Sequence, residues 1–149
     1  MKWEKGLTLI NVVFPLVGMS LMVFYGVCDT SCSYLQGTFA GMDLKIIGIL
    51  FMAVLLALIP LNSSRFSWSA GHMRTMMLAG ALGGEILLVR FQIVHETYCP
   101  FCLAFGFCVV ALFAANYMKM NKYLVIGALL AGIAAFALFF KGSILPLYS

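Results

Sequence analysis

Residues 7–27, LTLINVVFPLVGMSLMVFYGV, run for 21 positions without a charged side chain. A helix crosses the hydrocarbon core of a bilayer with about 20 apolar residues, so this stretch reads as a transmembrane span. Lys2 and Lys5 precede it, as basic residues precede the apolar part of a secretory signal. The run is too long for such a signal, and no small-x-small cleavage site follows. A lipoprotein cleavage site would place a small residue before Cys28, where Val27 stands. An uncleaved span is therefore expected.

The same pattern recurs along the chain. Further spans are expected at about 46–62, 75–95, 99–118 and 123–140. Between them lie a loop at 28–45, a polar stretch up to Arg74 and a short basic turn at Met118–Lys122, and Lys141–Ser149 reads as a tail. Of the 149 residues, 64% are hydrophobic and 9% charged, against about 45–50% and about 25% in an ordinary soluble domain. That balance excludes a disordered chain, a collagen and a nucleic-acid-binding domain. It also leaves too little polar surface for a soluble enzyme. The expectation is an all-α membrane protein, one domain over residues 1–149, with no room for a separate soluble domain.

Basic residues collect on the cytoplasmic side of membrane proteins. With the N-terminus inside, Lys2, Lys5, Arg65, Arg74, Lys119 and Lys122 face the cytoplasm, and only Lys45, Arg90 and Lys141 lie on or near the outside. The N-terminus is thus expected in the cytoplasm and the 28–45 loop outside. That arrangement puts Cys28 and Cys32, in the loop, on the same face as Cys99 and Cys102, where the fourth span begins. Outside a bacterial inner membrane, or in the lumen of the endoplasmic reticulum, thiols are held oxidised.

In Tyr98-Cys99-Pro100-Phe101-Cys102, Pro100 suits the first helical position, where its missing N–H does no harm. Cys99 then becomes the N-cap, at an outer rim within reach of the loop. Cys102 falls in the first turn, where unpaired backbone N–H groups stabilise a thiolate. Three readings compete: a zinc site built from two cysteine pairs, a structural disulfide pair, and a redox relay exchanging disulfides between loop pair and helix pair. No histidine lies in the outer loop to favour zinc, and a reactive dithiol at a helix start is a poor static staple, so the relay is preferred. Cys108 turns away from both pairs and reads as a small buried hydrophobe. A relay needs a final acceptor. No haem motif or dinucleotide fingerprint is present, and a lipid-soluble quinone is the class reachable from inside a membrane bundle.

With these residues the chain resembles the vitamin K epoxide reductase family, bacterial branch. The matching features are the two loop cysteines after the first span, the hydroxyl-bearing segment from Cys32-Ser33 to Thr38, Gly41-Met42-Asp43-Leu44 leading to Gly48, and the C-x-x-C opening the fourth span. The resemblance covers roughly residues 7–118. The related DsbB-type quinone reductases carry their C-x-x-C first and the looser pair second, the reverse of the order here. The resemblance implies a four-helix transmembrane bundle around a quinone, ubiquinone or menaquinone, with the fifth transmembrane helix outside that core. It implies that Cys32 takes electrons from a thioredoxin-like (DsbA-like) periplasmic protein, that Cys28 passes them to Cys99, and that Cys102 faces the quinone. The partner would be a separate protein, since no thioredoxin domain is fused here. Gly106 stands where vertebrate members carry a tyrosine, so Phe105 or Phe107 is left to supply the aromatic wall. Thr38 is the candidate quinone contact from the loop.

The third span adds two more candidate contacts. Glu85, Gln92 and Glu96 align on one helical face, and ionisable groups inside a span are functional candidates. The stripe would hydrogen-bond a quinone oxygen or carry protons; the competing use is a hydrogen bond between helices. Gly80, Gly83 and Gly84 suit close helix packing. The function expected is a thiol–quinone oxidoreductase of a bacterial inner membrane that drives disulfide formation. The alternative is a small non-enzymatic transporter or assembly protein with stapled outer loops.

Overall fold

The computed structural model describes residues 2–27, 35–61 and 67–144. Among them are five helices long and apolar enough to cross a membrane. These are α1 (Lys2–Val27), α2 (Leu44–Leu61), α3 (Ser67–Val94), α4 (Pro100–Asn116) and α5 (Lys122–Phe139). They alternate in direction, so the C-terminal ends of α1, α3 and α5 meet the N-terminal ends of α2 and α4 at one face. Large apolar side chains such as Leu9, Phe24, Leu50, Ile86, Leu130 and Leu138 are exposed, as a lipid-facing surface requires.

The spans fall where the sequence places them, with extensions at the starts of α1, which begins at Lys2 rather than 7, and α3. α3 begins at Ser67, eight residues before the expected start at 75. Trp68 and His72, one turn apart, stack with ring centroids 4.2 Å apart, and the His72 ring nitrogen lies 2.8 Å from the Trp68 carbonyl. His72 and Arg74 therefore sit on helix rather than in a loop. α4 ends in a 3-10 turn over Tyr117–Lys119. The Asn121 side chain then caps α5, accepting from the Tyr123 N–H at 3.1 Å.

Lipid tails are as apolar as leucine, so helices in a membrane associate by shape fit and a few polar contacts rather than by escape from water. Both are visible. Met22 of α1, Met52 and Leu55 of α2, Leu78 of α3, and Val109 and Leu112 of α4 form one dry cluster. Beside it, Asn11 of α1 and Asn116 of α4 exchange side-chain amide hydrogen bonds of 3.2 and 2.8 Å. α5 packs chiefly on α3 through small residues. A Cβ at Gly83 would stand 2.5 Å from the Leu129 carbonyl oxygen, and one at Gly132 would overlap the Gly80 backbone. Of the three glycines expected to allow close packing, Gly83 and Gly84 leave no room for a Cβ against α5, while at Gly80 it is the facing Gly132 that permits the approach.

The end of the bundle where α1, α3 and α5 finish, expected from sequence to face outward and called the outer end for that reason, differs from the loop and tail expected there. β1 (Leu35–Phe39), β2 (Met42–Asp43) and β3 (Phe140–Ile144) form an antiparallel sheet of order β2-β1-β3. Ala40 and Gly41 both take positive φ, 53° and 85°, which closes the two-residue hairpin with the twist its strands need. β3 occupies the first part of the expected tail, with Phe39 opposite Phe140 and Thr38 opposite Lys141. α2 leaves directly from β2 and α5 runs directly into β3, so the sheet ties three segments of the chain across the outer face.

Candidate functional site

The start of α4 is built as its sequence suggests. Cys99 is the N-cap, in extended conformation, with Pro100 in the first turn. The helix start is anchored from α3. The Gln92 side-chain oxygen accepts from the Cys99 backbone N–H at 3.0 Å, and the Thr97 N–H donates to the Gln92 carbonyl at 3.1 Å. Gln92 is 1% exposed. A buried amide left unpaired inside a membrane is costly, so this bond fixes where the C-x-x-C begins.

The two cysteines occupy different environments. Cys99 is 1% exposed and packs among Tyr25, Phe91, Phe101 and Cys102. The open rim expected for it is therefore filled, because the ends of α1 and α3 close over the N-cap. Cys102 is half-buried and lines a cavity of about 300 Å³. Cys28 and Cys32 lie outside the described residues. The zinc and structural-disulfide alternatives depend on them, as does the first half of the relay.

The cavity has walls from all five helices and a roof from the sheet. Its lining is overwhelmingly apolar, and small residues make the room: Gly37 in β1, Gly48 in α2, Gly80 in α3 and Gly132 in α5. Phe39, Phe136 and Phe140 form an aromatic group at the roof, with Phe39 and Phe136 centroids 4.7 Å apart and Phe136 and Phe140 stacked at 6.1 Å. The polar groups that reach it are few: the Cys102 thiol, the Glu85 carboxyl, the Tyr25 ring and Lys45. Lys45 pairs with Asp43 at 3.5 Å near the outer face. Small-molecule sites have this character, mostly apolar with a few placed polar groups, in volumes from about 300 Å³ upward.

Of the four contacts expected from sequence, Phe105 and Glu85 line the cavity with Cys102. Gln92 and Thr38 do not. Gln92 holds the Cys99 N–H, and the Thr38 hydroxyl donates to the Lys141 carbonyl at 3.4 Å. Glu96, third in the expected stripe, is exposed in the α3–α4 turn with φ of 51°. Glu85 also borders a shallower groove between α3 and α4, lined by exposed Ile86, Leu103, Phe107 and Val110. Phe107 therefore faces outward, and the aromatic wall beside Cys102 is Phe105. Cys108 is 3% exposed in the common core, away from the cavity.

Sequence reasoning missed the contribution of α5 and β3. Gly132, Ala135, Phe136 and Phe140 all line the cavity. A signal was present in the glycines of the third and fifth spans, which allow a close pair, and in the phenylalanines clustered at the end of the fifth. Searches of protein-family models, curated proteins and solved structures find no match to this chain.

Proposed function

We propose that this protein is a membrane thiol–quinone oxidoreductase of the vitamin K epoxide reductase type. The observation that carries the reading is Cys102. It stands in the first turn of a helix, in a C-x-x-C, and lines an apolar cavity walled by Phe105 and other aromatic rings. A thiolate there is stabilised by the backbone N–H groups of the helix start. The cavity suits the flat ring of a ubiquinone or menaquinone better than a hydrated solute.

In this reading α1–α4 form the four-helix bundle around the acceptor, and α5 completes its wall. The N-terminus lies in the cytoplasm of a bacterial cell and the sheet faces the periplasm. Cys32 takes electrons from a separate thioredoxin-like, DsbA-like protein; Cys28 passes them to Cys99; Cys102 meets the quinone. Cys99 and Cys102 together give up two electrons and two protons as their disulfide forms, and the quinone takes up both to become the hydroquinone. Gln92 fixes the backbone position of Cys99 while this exchange proceeds.

The test uses purified protein in detergent, with dithiothreitol as donor and a short-chain ubiquinone as acceptor. The wild type is expected to reduce the quinone. In the Cys102→Ala variant a mixed disulfide between Cys99 and a loop cysteine, expected to be Cys28, should accumulate under non-reducing mass spectrometry. A single fixed disulfide connectivity with no quinone reduction would favour the transporter or assembly reading instead.

A further inference from the structure

Glu85 projects from the middle of α3 toward α4, and one position on α4 admits it. A Cβ built on Gly106 would lie 2.7 Å from Glu85 Oε2, so any other residue there would displace the carboxyl. Gly106 follows Cys102 by four residues. On a helix these positions share a face, and four residues advance about 6 Å along the axis. The carboxyl therefore lies about one turn further along α4 than the Cys102 thiol; Glu85 and Cys102 both line the cavity, and Glu85 and Gly106 border the groove between α3 and α4 beside it.

Among the described residues no hydrogen bond or ion pair accounts for the carboxyl. The ion pairs among the described residues are Lys45–Asp43 and Lys119–Glu4, and no hydrogen bond from a described residue reaches Glu85. Arg90, on the same helix, is exposed. An ionisable side chain facing an apolar cavity within a membrane is costly and marks function. The other titratable side chains lining the cavity are Cys102 of α4, Tyr25 of α1 and Lys45 of α2, with none from α5 or the sheet.

We infer that Glu85 is the proton donor to the acceptor bound beside Cys102, placed by the missing side chain of Gly106. This rests on the thiol–quinone reading above and assigns a step which that reading leaves open. Each carbonyl oxygen of a quinone needs one proton to become a hydroxyl. Glu85 gives its proton to the carbonyl oxygen on its side of the cavity and regains one from the Cys102 thiol. The proton released from Cys99 balances the second oxygen. Two thiols thus lose two electrons and two protons, one S–S bond forms, two C=O groups become C–OH, and Glu85 ends as it began.

The experiment compares wild type, Glu85→Gln and Glu85→Ala in dithiothreitol-driven reduction of a short-chain ubiquinone. General acid catalysis contributes about 100-fold or more. Both variants should lose about that factor in kcat, with KM changed far less and the Cys99–loop disulfide still forming. Small carboxylic acids such as acetic acid should restore turnover to Glu85→Ala, a recovery that a purely structural role would not give. Infrared difference spectra of the wild type on adding quinone should show a shift in a protonated carboxyl band, a readout that holds even if a variant fails to fold. If the wild type reduces no quinone, the functional reading itself fails. If it does, and both variants keep kcat within about twofold or the wild type shows no carboxyl band shift, the assignment of Glu85 is overturned alone.

Discussion

The inner and outer halves of the same helices are built on opposite principles. Toward the inner face, Leu55, Leu78 and Leu112 are completely buried, and Asn11 and Asn116 lock α1 to α4. Toward the outer end, and from mid-helix along the α3–α5 side, glycines take the places where larger side chains would meet. The result is a cavity of about 300 Å³ lined by Cys102 and Glu85. Apolar character does not separate the halves, since both are hydrophobic. Side-chain size does: the inner half is filled to close packing, and the outer half gives up packing for a chamber. Stability should therefore reside chiefly in the inner half and chemistry in the outer.

Four substitutions test that division. The largest effect is expected from Cys102→Ala, which should abolish quinone reduction in the assay above while leaving the thermal unfolding temperature nearly unchanged. A large drop in that temperature would mean that the thiol serves packing. Leu112→Ala should do the reverse. A buried leucine truncated in a close-packed core costs about 3 kcal/mol, measured by chemical unfolding in detergent, and the surviving folded protein should turn over at the wild-type rate. Gly132→Ala probes the seam between the halves. Its new Cβ would overlap the Gly80 backbone, and such overpacking costs about 2 kcal/mol. Because α5 must also shift away from the cavity, the KM for quinone should rise several-fold. The smallest effect is expected from Cys108→Ala. It removes a buried thiol from the common core, for about 1 kcal/mol in stability, with activity within a few-fold of wild type. An inactive but folded Cys108 variant would show that the thiol-bearing face of α4 is wider than Cys102 alone.

What could be read from sequence follows the range of the interactions involved. The spans depend on composition over about 20 consecutive residues, so they were legible. The N-cap at Cys99 depends on its neighbour Pro100, and the burial of Cys108 on helical angle; both are local. The sheet was not legible. β2 has two residues, and β1 finds its second partner about a hundred positions away, beyond any periodicity in either segment. Helical spacing groups Gln92 with Glu85, yet only Glu85 lines the cavity, and the bond from the Cys99 N–H to Gln92 depends on the path of the turn between them. Thr38 belongs by sequence to a hydroxyl-bearing loop, and in the structure it lies in β1 with its hydroxyl donating to the Lys141 carbonyl. The part of α5 in the cavity needed two pieces of information at once, the α3–α5 seam and the β1–β3 pairing, neither of which is contained in one window of sequence.

The pairing of β1 with β3 also sets an order of assembly. Chains are inserted from the N-terminus as they are made, so α1, the hairpin and α2 are in the membrane long before residues 140–144 emerge. Until then β1 carries an open edge, the cavity lacks Phe140 from its roof, and the wall from α5 is missing. Contacts between segments so far apart in the chain form late, because the loop between them must close first. During its own synthesis, then, the protein passes through a stage in which the four earlier helices stand around an uncovered chamber. The chamber is complete only when α5 and β3 bring Gly132, Phe136 and Phe140 to its lining.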